Sequence, residues 1–244
     1  MQKFIVVIPA RMASGRLPGK PLININGISL IRRTYLQTIK AVDPKLVYVA
    51  TDHDDIVAHC NQYDMQVVLT SPECLTGTDR VAEVARSVNA EYYINVQGDE
   101  PLMNPDDILK TMEAIHAYPG DVINGYASIH DPELYVSLTI PKVVFRPDGR
   151  LLYMSRSPIP GNKAGKFMKS WRQVCVYAFP QKALFAYASR TSKTPLEEME
   201  DLEILRFLEM GYEVRMIELS QESIAVDTPG DVEKVISALN SHNN

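Results

Sequence analysis

The sequence has few cysteines, no Cys-x-x-Cys pair and no long hydrophobic run. Cys60, Cys74 and Cys175 are the three cysteines among 244 residues. This argues against a disulfide framework and favours a reducing, cytoplasmic setting. The five histidines show no metal-ligand spacing, which argues against a zinc enzyme. No apolar stretch reaches the length of a membrane span, and the first apolar run is too short for a signal peptide.

Acidic residues are absent from the first 42 positions, although the chain as a whole is acidic. The formal net charge is −5, which argues against general nucleic-acid binding. Positive charge is instead concentrated near the start of the chain. The seven cationic residues of that region are Lys3, Arg11, Arg16, Lys20, Arg32, Arg33 and Lys40.

Three of these cations lie on one loop that follows the first apolar run. Residues 4–8 predict a buried strand, and residues 9–22 then combine Arg11, Arg16 and Lys20 with glycines and prolines and no acid. In an open α/β sheet the loop after a strand lies at the carboxyl edge, where ligands bind. Cations and free backbone N–H groups suit a polyphosphate. Because a proline follows Lys20, this is not a Walker P-loop, and a merely solvated basic loop is the alternative.

Short apolar runs alternate with segments of helical spacing through the first half of the chain. Such alternation indicates an α/β fold with a mostly parallel, doubly wound sheet. The predicted strands are 4–8, 46–50, 65–69 and 92–96, and the predicted helices are 29–40, 54–63, 79–87 and 106–117.

The second half is richer in strand patterns. Strands are predicted at 127–129, 143–145, 151–153, 173–179 and 212–219, and helices at 195–210 and 229–239. With no repeat or linker in the sequence, we expect one continuous domain over 1–244 with a β-rich insertion at 125–180.

Two carboxylates follow predicted strands in a way that suits a metal. Gly98 allows a sharp turn after the strand 92–96, so that Asp99 projects from the carboxyl edge of the sheet. Mg²⁺ prefers one or two carboxylates together with phosphate oxygens and water. Asp227 lies before the last predicted helix, and the two carboxylates could hold one metal together. The alternatives are an ordinary Gly-Asp turn at 98–99 and a helix cap at 227–228.

A third segment, residues 76–80, reads Thr-Gly-Thr-Asp-Arg and leads into the helix 79–87. Its hydroxyl and N–H groups could bind a ribose or the edge of a base. The alternative is a plain helix cap.

Seven motifs, in this order, resemble those of the 3-deoxy-manno-octulosonate (Kdo) cytidylyltransferases, and the resemblance covers essentially the whole chain. They are Pro-Ala-Arg-x-x-Ser-x-Arg-Leu-Pro-Gly-Lys-Pro-Leu (9–22), Ala-Thr-Asp (50–52), Gly-Thr-Asp-Arg (77–80), Asn-Val-Gln-Gly-Asp-Glu-Pro (95–101), Ser-Arg-x-x-Ile-Pro (155–160), Leu-Glu-x-Leu-Arg (202–206) and Val-Asp-Thr-Pro-x-Asp (226–231).

The resemblance implies the nucleotide-diphospho-sugar transferase fold and a reaction in which CTP and a 3-deoxy sugar acid give a CMP-sugar and pyrophosphate. It further implies Mg²⁺ dependence, a homodimer and a role in lipopolysaccharide biosynthesis. We take the segment 125–180 as the candidate dimer interface.

The resemblance also implies roles for individual residues. The expected catalytic residues are Arg11, Lys20, Asp99 and Asp227, of which Asp99 and Asp227 would hold Mg²⁺. The expected nucleotide-binding residues are Ala10, Arg11, Ser14, Arg16, Lys20, Thr70, Gly77, Thr78, Asp79 and Arg80. The expected sugar-binding residues are Gln97, Arg156, Gln173, Tyr177, Glu203 and Ile204, with Arg156 as the partner of the sugar carboxylate.

Most departures from the family pattern concern the sugar. Gln173 stands where the family usually has His, Cys175 where it has Gly, and Ile204 where it has Gln, while Thr76 replaces a Ser near the nucleotide. Loss of an ionisable His would relieve repulsion of an ammonium, and the acid-rich helix 195–210 could supply an acceptor. We therefore expect 8-amino-3,8-dideoxy-manno-octulosonate as the substrate. Neutral drift, with Kdo itself as substrate, is the alternative.

Two other functions are compatible with the same motifs. One is a non-catalytic nucleotide-binding regulator, against which the two metal carboxylates argue. The other is a nucleotidyltransferase that uses UTP or GTP.

Overall fold

A computed structural model describes residues 2–13, 15–221 and 223–241, which form two compact units. Unit 1 comprises Met1–Leu109 and Glu222–Asn244, and unit 2 comprises Lys110–Gln221. The β-rich segment 125–180 falls within unit 2. Every helix of the described part is too short or too polar to cross a bilayer.

The helices and strands alternate along most of the chain. The elements up to Ala117 are β1 (Gln2–Ala10), β2 (Asn24–Ile25), β3 (Ile28–Ser29), α1 (Leu30–Thr38), β4 (Val47–Thr51), α2 (Asp54–Gln62), β5 (Gln66–Leu69), α3 (Gly77–Ser87), β6 (Ala90–Val96) and α4 (Pro105–Ala117). Then come β7 (Val122–Ile129), α5 (Pro132–Val136), β8 (Lys142–Phe145), β9 (Leu151–Ser155), β10 (Ser170–Pro180), α6 (Gln181–Ala188), α7 (Pro195–Glu200), α8 (Ile204–Glu209), β11 (Val214–Glu218) and α9 (Pro229–Ser241).

Unit 1 is built on four parallel strands in the order β6-β1-β4-β5. Its central strand β1 is buried from Ile5 to Ile8 without alternation, as expected when helices cover both faces of a parallel sheet. The four strands and four helices predicted between residues 4 and 117 are confirmed, with bounds that differ by a few residues. Because the strands are parallel, their carboxyl ends share one edge of the sheet.

The hairpin β2–β3 was not predicted, although its signal is present in the sequence. Asn26 and Gly27 both have positive φ, 48° and 80°. A two-residue turn with two positive φ angles is the type I′ hairpin turn, for which Asn-Gly is a favoured pair. Ile25 of the hairpin and Leu30 of α1 are buried together with Val226 and Val235, so the C-terminal segment packs on the start of the chain.

Unit 2 has a mixed arrangement of strands. β11 pairs with β7 in parallel, whereas β10 pairs with β7 and β8, and β8 with β9, antiparallel. The pairing of β10 with β7 shifts register between Val174 and Tyr177. The predicted strands of this half are confirmed, and the helices α5 and α6 were missed.

The single helix predicted over 195–210 is wrong, because two helices occupy this range. α7 ends at Glu200, Asp201 adopts a left-handed conformation with φ 51°, and α8 begins at Ile204. Side-chain contacts hold this break, and neither Gly nor Pro marks it in the sequence. The predicted end of the range is confirmed, since Gly211 follows α8 with φ 81°.

Gly98 gives a direct test of the packing at the end of β6. A Cβ there would lie 2.6 Å from the carbonyl oxygen of Pro9 and 3.1 Å from Ile31 Cδ1. We expect Gly98→Ala to lower the free energy of unfolding by about 1–3 kcal/mol, because backbone and core must shift. Gly15→Ala, whose Cβ would meet nothing within 4 Å, is the matched control. Urea denaturation that finds the two variants equally stable would contradict this packing.

Candidate active site

The basic loop ends in a short turn that orients Lys20. A 3₁₀ turn spans Lys20–Leu22, and Gly19 before it has a positive φ of 68°. The backbone N–H of Lys20 donates to Leu17 O at 3.2 Å. Arg11 and Arg16 are exposed on the same loop, whereas the Lys20 side chain is only 17% exposed. Ser14, the remaining loop residue with an expected role, lies outside the described residues.

Asp99 and Asp227 meet at the ammonium of Lys20. Lys20 Nζ lies 2.6 Å from Asp99 Oδ2 and 3.2 Å from Asp227 Oδ1. A second cation reaches Asp227, since one guanidinium nitrogen of Arg16 lies 3.1 Å from the same Oδ1. The structure thus brings together four of the residues that the sequence singled out, from three separate segments of the chain.

The position of Asp99 follows from the end of β6. Gly98 is buried, and its carbonyl oxygen accepts a hydrogen bond from Thr34 Oγ1 at 3.2 Å. The carbonyl oxygen of Asp99 accepts another from the N–H of Val226 at 2.9 Å. This second bond places the segment before α9 beside the end of β6, and so brings Asp227 to Asp99.

Asp231, rather than Asp227, caps helix α9. The Oδ2 atom of Asp231 accepts hydrogen bonds from the N–H and hydroxyl of Thr228, at 3.0 and 2.8 Å, and from the N–H of Asp227 at 3.3 Å. Burial raises the pKa of Asp231, but hydrogen bonds from Lys234, Thr228 and these backbone groups outweigh it and bring the pKa to about 2. The carboxylate of Asp227 is thereby left to face Lys20 and Arg16.

The charge on Lys20 is stabilised by its partners. Burial lowers the pKa of its ammonium, but the charges and hydrogen bonds of Asp99 and then Asp227 together raise the pKa above its ordinary value. Lys20 therefore stays protonated at neutral pH and offsets part of the negative charge of the two carboxylates.

The donor set fits a magnesium ion that is also bound by phosphate. Within residues 2–13, 15–221 and 223–241, no group of three or more His, Cys, Asp or Glu side chains could hold a metal. Mg²⁺ is commonly held by one or two carboxylates plus substrate phosphates. Asp99 and Asp227 supply two such carboxylates, already directed at one cation.

The segment 76–80 forms the start of α3, as its simpler interpretation predicts. Thr76 and Asp79 form a capping box, in which Asp79 Oδ2 accepts from the N–H and hydroxyl of Thr76 at 3.0 and 2.8 Å. Thr78 is buried, and Gly77 is the first residue of the helix.

Arg80 and Thr70 meet at the same edge of the sheet. Arg80 donates to the Thr70 hydroxyl, and another of its guanidinium nitrogens lies 2.9 Å from Asp52 Oδ2. Ala10, at the end of β1, is in register with Thr51. Sequence reasoning did not assign Asp52 to the site, although an Asp directly after an apolar strand was a usable signal.

The expected sugar-binding residues divide between the units. Gln97 belongs to unit 1, where its carbonyl oxygen accepts from Glu100 N–H at 3.2 Å. The other five belong to unit 2. Ile204 is buried, with 1% exposed, and the half-buried Glu203 precedes it as the N-cap residue of α8.

Gln173 and Tyr177 lie in a buried amide network on β10. Gln173 Nε2 lies 3.0 Å from Asn124 Oδ1 and 3.1 Å from the Tyr177 hydroxyl. Asn124 Nδ2 donates to the carbonyl oxygens of Val174 and Val176, each at 3.1 Å. Sequence reasoning missed Asn124, because no local pattern marks a buried amide within a strand.

The guanidinium of Arg156 binds backbone carbonyl groups. Its Nε donates to Glu200 O at 2.6 Å, and its two terminal nitrogens donate to Leu138 O and Asp201 O at 3.2 and 3.1 Å. Arg156 thus binds the carboxyl end of α7, where a cation is favourable. This contact helps to hold the helix break.

The carboxylate of Glu200 completes this cluster. It accepts hydrogen bonds from the hydroxyls of Ser155 and Tyr153, at 2.6 and 3.3 Å, and from the N–H of Arg156 at 2.9 Å. Burial raises its pKa, but these hydrogen bonds together lower the pKa below its ordinary value. Glu200 therefore remains ionised at neutral pH and is already engaged as an acceptor.

Comparisons with known proteins agree on one family. A family model described as cytidylyltransferase matches residues 5–223. The 3-deoxy-manno-octulosonate cytidylyltransferase of Chlamydia pneumoniae is 40% identical over 95% of this chain and 91% of its own length. The protein of that name from Geobacter metallireducens is 38% identical over 97% of this chain and 98% of its own length. The mitochondrial protein of that name from Arabidopsis thaliana is 35% identical over 99% of this chain and 84% of its own length.

Solved structures confirm the predicted fold class. The structure of CMP:2-keto-3-deoxy-manno-octonic acid synthetase complexed with CTP is similar with a TM-score of 0.91 and 32% identity, covering 99% of this chain and 100% of that one. HddC from Yersinia pseudotuberculosis is similar with a TM-score of 0.69 and 16% identity, covering 96% of this chain and 98% of that one. The second likeness concerns the fold alone.

Proposed function

This chain belongs to the 3-deoxy-manno-octulosonate cytidylyltransferase family, and on that premise we propose that the cluster around Lys20 is its reaction centre. There, CMP would pass from CTP to a 3-deoxy sugar acid with release of pyrophosphate. The observation that carries the proposal is the convergence of Arg16 and Lys20 of the loop with two carboxylates at the carboxyl edge of a parallel sheet.

This reaction depends mainly on positioning of the two substrates and on stabilisation of the charge that develops. Arg11, Arg16 and Lys20 would bind the triphosphate and stabilise its developing negative charge. The anomeric hydroxyl of the sugar would attack the α-phosphorus in line, and the bond from that phosphorus to the bridging oxygen of pyrophosphate would break. Asp99 and Asp227 would hold a Mg²⁺ ion, which when bound neutralises phosphate charge and lowers the pKa of the hydroxyl.

The cytosine and ribose would lie along the same edge. Ala10 ends β1, Thr70 follows β5, and the turn at Gly77 begins α3, so all three stand where a nucleotide binds in an α/β sheet. Arg80, held by Asp52, would keep the Thr70 hydroxyl oriented. Because the Asp79 carboxylate caps α3, its contribution would be to shape this turn.

Replacing Asp99 tests the assignment of the reaction centre. We expect Asp99→Asn to lower kcat by about 10²–10³-fold at saturating Mg²⁺, because a charged ligand near the developing charge is lost. The amide has nearly the same shape, and Lys20 keeps Asp227 as its charged partner, so the fold should be retained. Glu91→Gln, at the exposed amino-terminal end of the same strand, is the matched control and should keep full activity. Near-wild-type kcat for Asp99→Asn would refute the assignment.

For the sugar, we propose the 8-amino derivative, and the polarity of the network around Gln173 supports this. The carbonyl oxygens of Val174 and Val176 can only accept, so Asn124 Nδ2 is the donor and Asn124 Oδ1 must accept. Gln173 therefore donates with Nε2 and keeps Oε1 as the acceptor at its other amide position. A hydroxyl could also donate to this oxygen, but the charge of an ammonium strengthens such a bond, so the acceptor supports the amino sugar.

Kinetics with the two sugars test this choice. We expect a higher kcat/KM for 8-amino-3,8-dideoxy-manno-octulosonate than for Kdo, and a shift of the ratio toward Kdo by about tenfold in Gln173→His. Gln221→His, at an exposed position of the same unit, should leave the ratio unchanged. A wild-type preference for Kdo would leave Kdo as the substrate.

We also propose that the chain forms a homodimer through the β-rich segment 125–180. Four large apolar side chains there are mostly exposed: Val136, Leu138, Leu152 and Met168. Large apolar side chains left exposed within one segment support its burial against a second copy. The dimer would act in the cytoplasm, where the three free cysteines remain reduced, and would supply the activated sugar for lipopolysaccharide.

Sedimentation velocity tests the dimer. At micromolar concentration we expect the wild type to have twice the mass of one chain, and Leu152→Asp on β9 to be monomeric, because a charge would be buried in the interface. Leu69→Asp on β5 is the control, since Leu69 is 60% exposed and Leu152 59%. A monomeric wild type, or a dimeric Leu152→Asp variant, would contradict this interface.

A further inference from the structure

We propose that the ammonium of Lys20 competes with the divalent cation for Asp99 and Asp227, so that metal and nucleotide bind with positive coupling. This proposal rests on the proposed function, since it takes these two carboxylates as the metal ligands. It assigns Lys20 a role in the order of binding, in addition to its role toward the phosphates.

The geometry places one cation where another would bind. Lys20 Nζ contacts an oxygen of each carboxylate, at 2.6 Å from Asp99 and 3.2 Å from Asp227. Arg16 adds a second positive charge at 3.1 Å from the same oxygen of Asp227. The Asp99 and Asp227 side chains are 26% and 40% exposed, so a cation can reach them from solvent.

A metal and the ammonium compete for these carboxylates in the observed arrangement. Both need direct contact with the carboxylates, and two cations within a few ångströms repel each other. We therefore expect a metal that binds between Asp99 and Asp227 to displace Lys20 Nζ from one or both of them. Without Lys20, Asp99 would lose its ammonium partner and Asp227 would keep only Arg16, so a metal would have fewer ion pairs to displace.

The displacement needs only the side chain to move. The backbone of Lys20 is held in the 3₁₀ turn, where its carbonyl oxygen accepts from the N–H of Ile23 at 3.2 Å. The side chain itself is a flexible four-carbon stem with a compact terminal charge. Once released from the carboxylates, the ammonium is available to a phosphate on the same loop.

This exchange links the two binding events. A metal frees Lys20 for the phosphates, and phosphates that draw Lys20 away leave the carboxylates free for a metal. By linkage, each ligand must raise the affinity for the other by the same factor. Part of the coupling between metal and nucleotide thus resides in the protein, beyond their direct contact with each other.

The test is the binding of Mn²⁺ alone, followed by the electron paramagnetic resonance signal of the free ion. Removing the competing charge in Lys20→Met or Lys20→Gln should lower the Kd for Mn²⁺ by about tenfold, since the ion pairs of Lys20 with the two carboxylates no longer oppose the metal. Lys45→Met is the charge-matched control, because Lys45 is exposed before β4, at the opposite edge of the sheet. Asp99→Asn should raise the Kd.

The coupling itself is measured with inorganic tripolyphosphate at matched free Mn²⁺ concentrations. We compare the factor by which Mn²⁺ raises the affinity for tripolyphosphate in the two proteins. This factor should be about ten times larger in the wild type than in Lys20→Gln. If both Lys20 variants bind Mn²⁺ no more tightly than the wild type while Asp99→Asn binds it more weakly, the competition is refuted and the metal site stands. If Asp99→Asn also binds Mn²⁺ as the wild type does, the metal assignment fails, and the competition fails with it.

Discussion

The ammonium of Lys20 is shared by two carboxylates from distant segments of the chain, and the arrangement of the candidate site depends on this contact. Asp99 is there because β6 ends at a buried glycine, and Asp227 because Val226 N–H bonds to Asp99 O. The parallel strands supply the common edge at which these segments meet. The cations and carboxylates at this edge are the proposed binding site for a polyphosphate and a metal.

In unit 2, several charged side chains hold helices in place. Arg206 and Glu197 are buried and bind each other through two contacts of 2.6 Å, with the Tyr187 hydroxyl 3.2 Å from Glu197. Arg156 binds three carbonyl oxygens around the break between α7 and α8. Leaving one partner of such a buried pair alone would be costly, so these contacts fix the helices that carry Glu203 and Ile204.

The sequence predicts what local patterns determine and leaves out what distant contacts determine. Apolar runs predict the parallel strands. The acid-free loop after the first strand indicates Arg11, Arg16 and Lys20 as candidate site residues. The break at Asp201 was missed because side-chain contacts from elsewhere cause it. Asn124 was missed for the same reason, whereas the turn at Asn26 carried a readable local signal. That Lys20 lies between Asp99 and Asp227 could not be read from any one segment.

Transfer of cytidylyl groups to a sugar acid at this edge of the sheet is the proposed activity. It is tested most directly by pyrophosphate release from CTP, UTP, GTP and ATP, each with Mg²⁺ and with Kdo or its 8-amino derivative. We expect sugar-dependent release of pyrophosphate from CTP and little from the other three nucleotides. Release from UTP or GTP at rates equal to CTP, or none with either sugar, would contradict it.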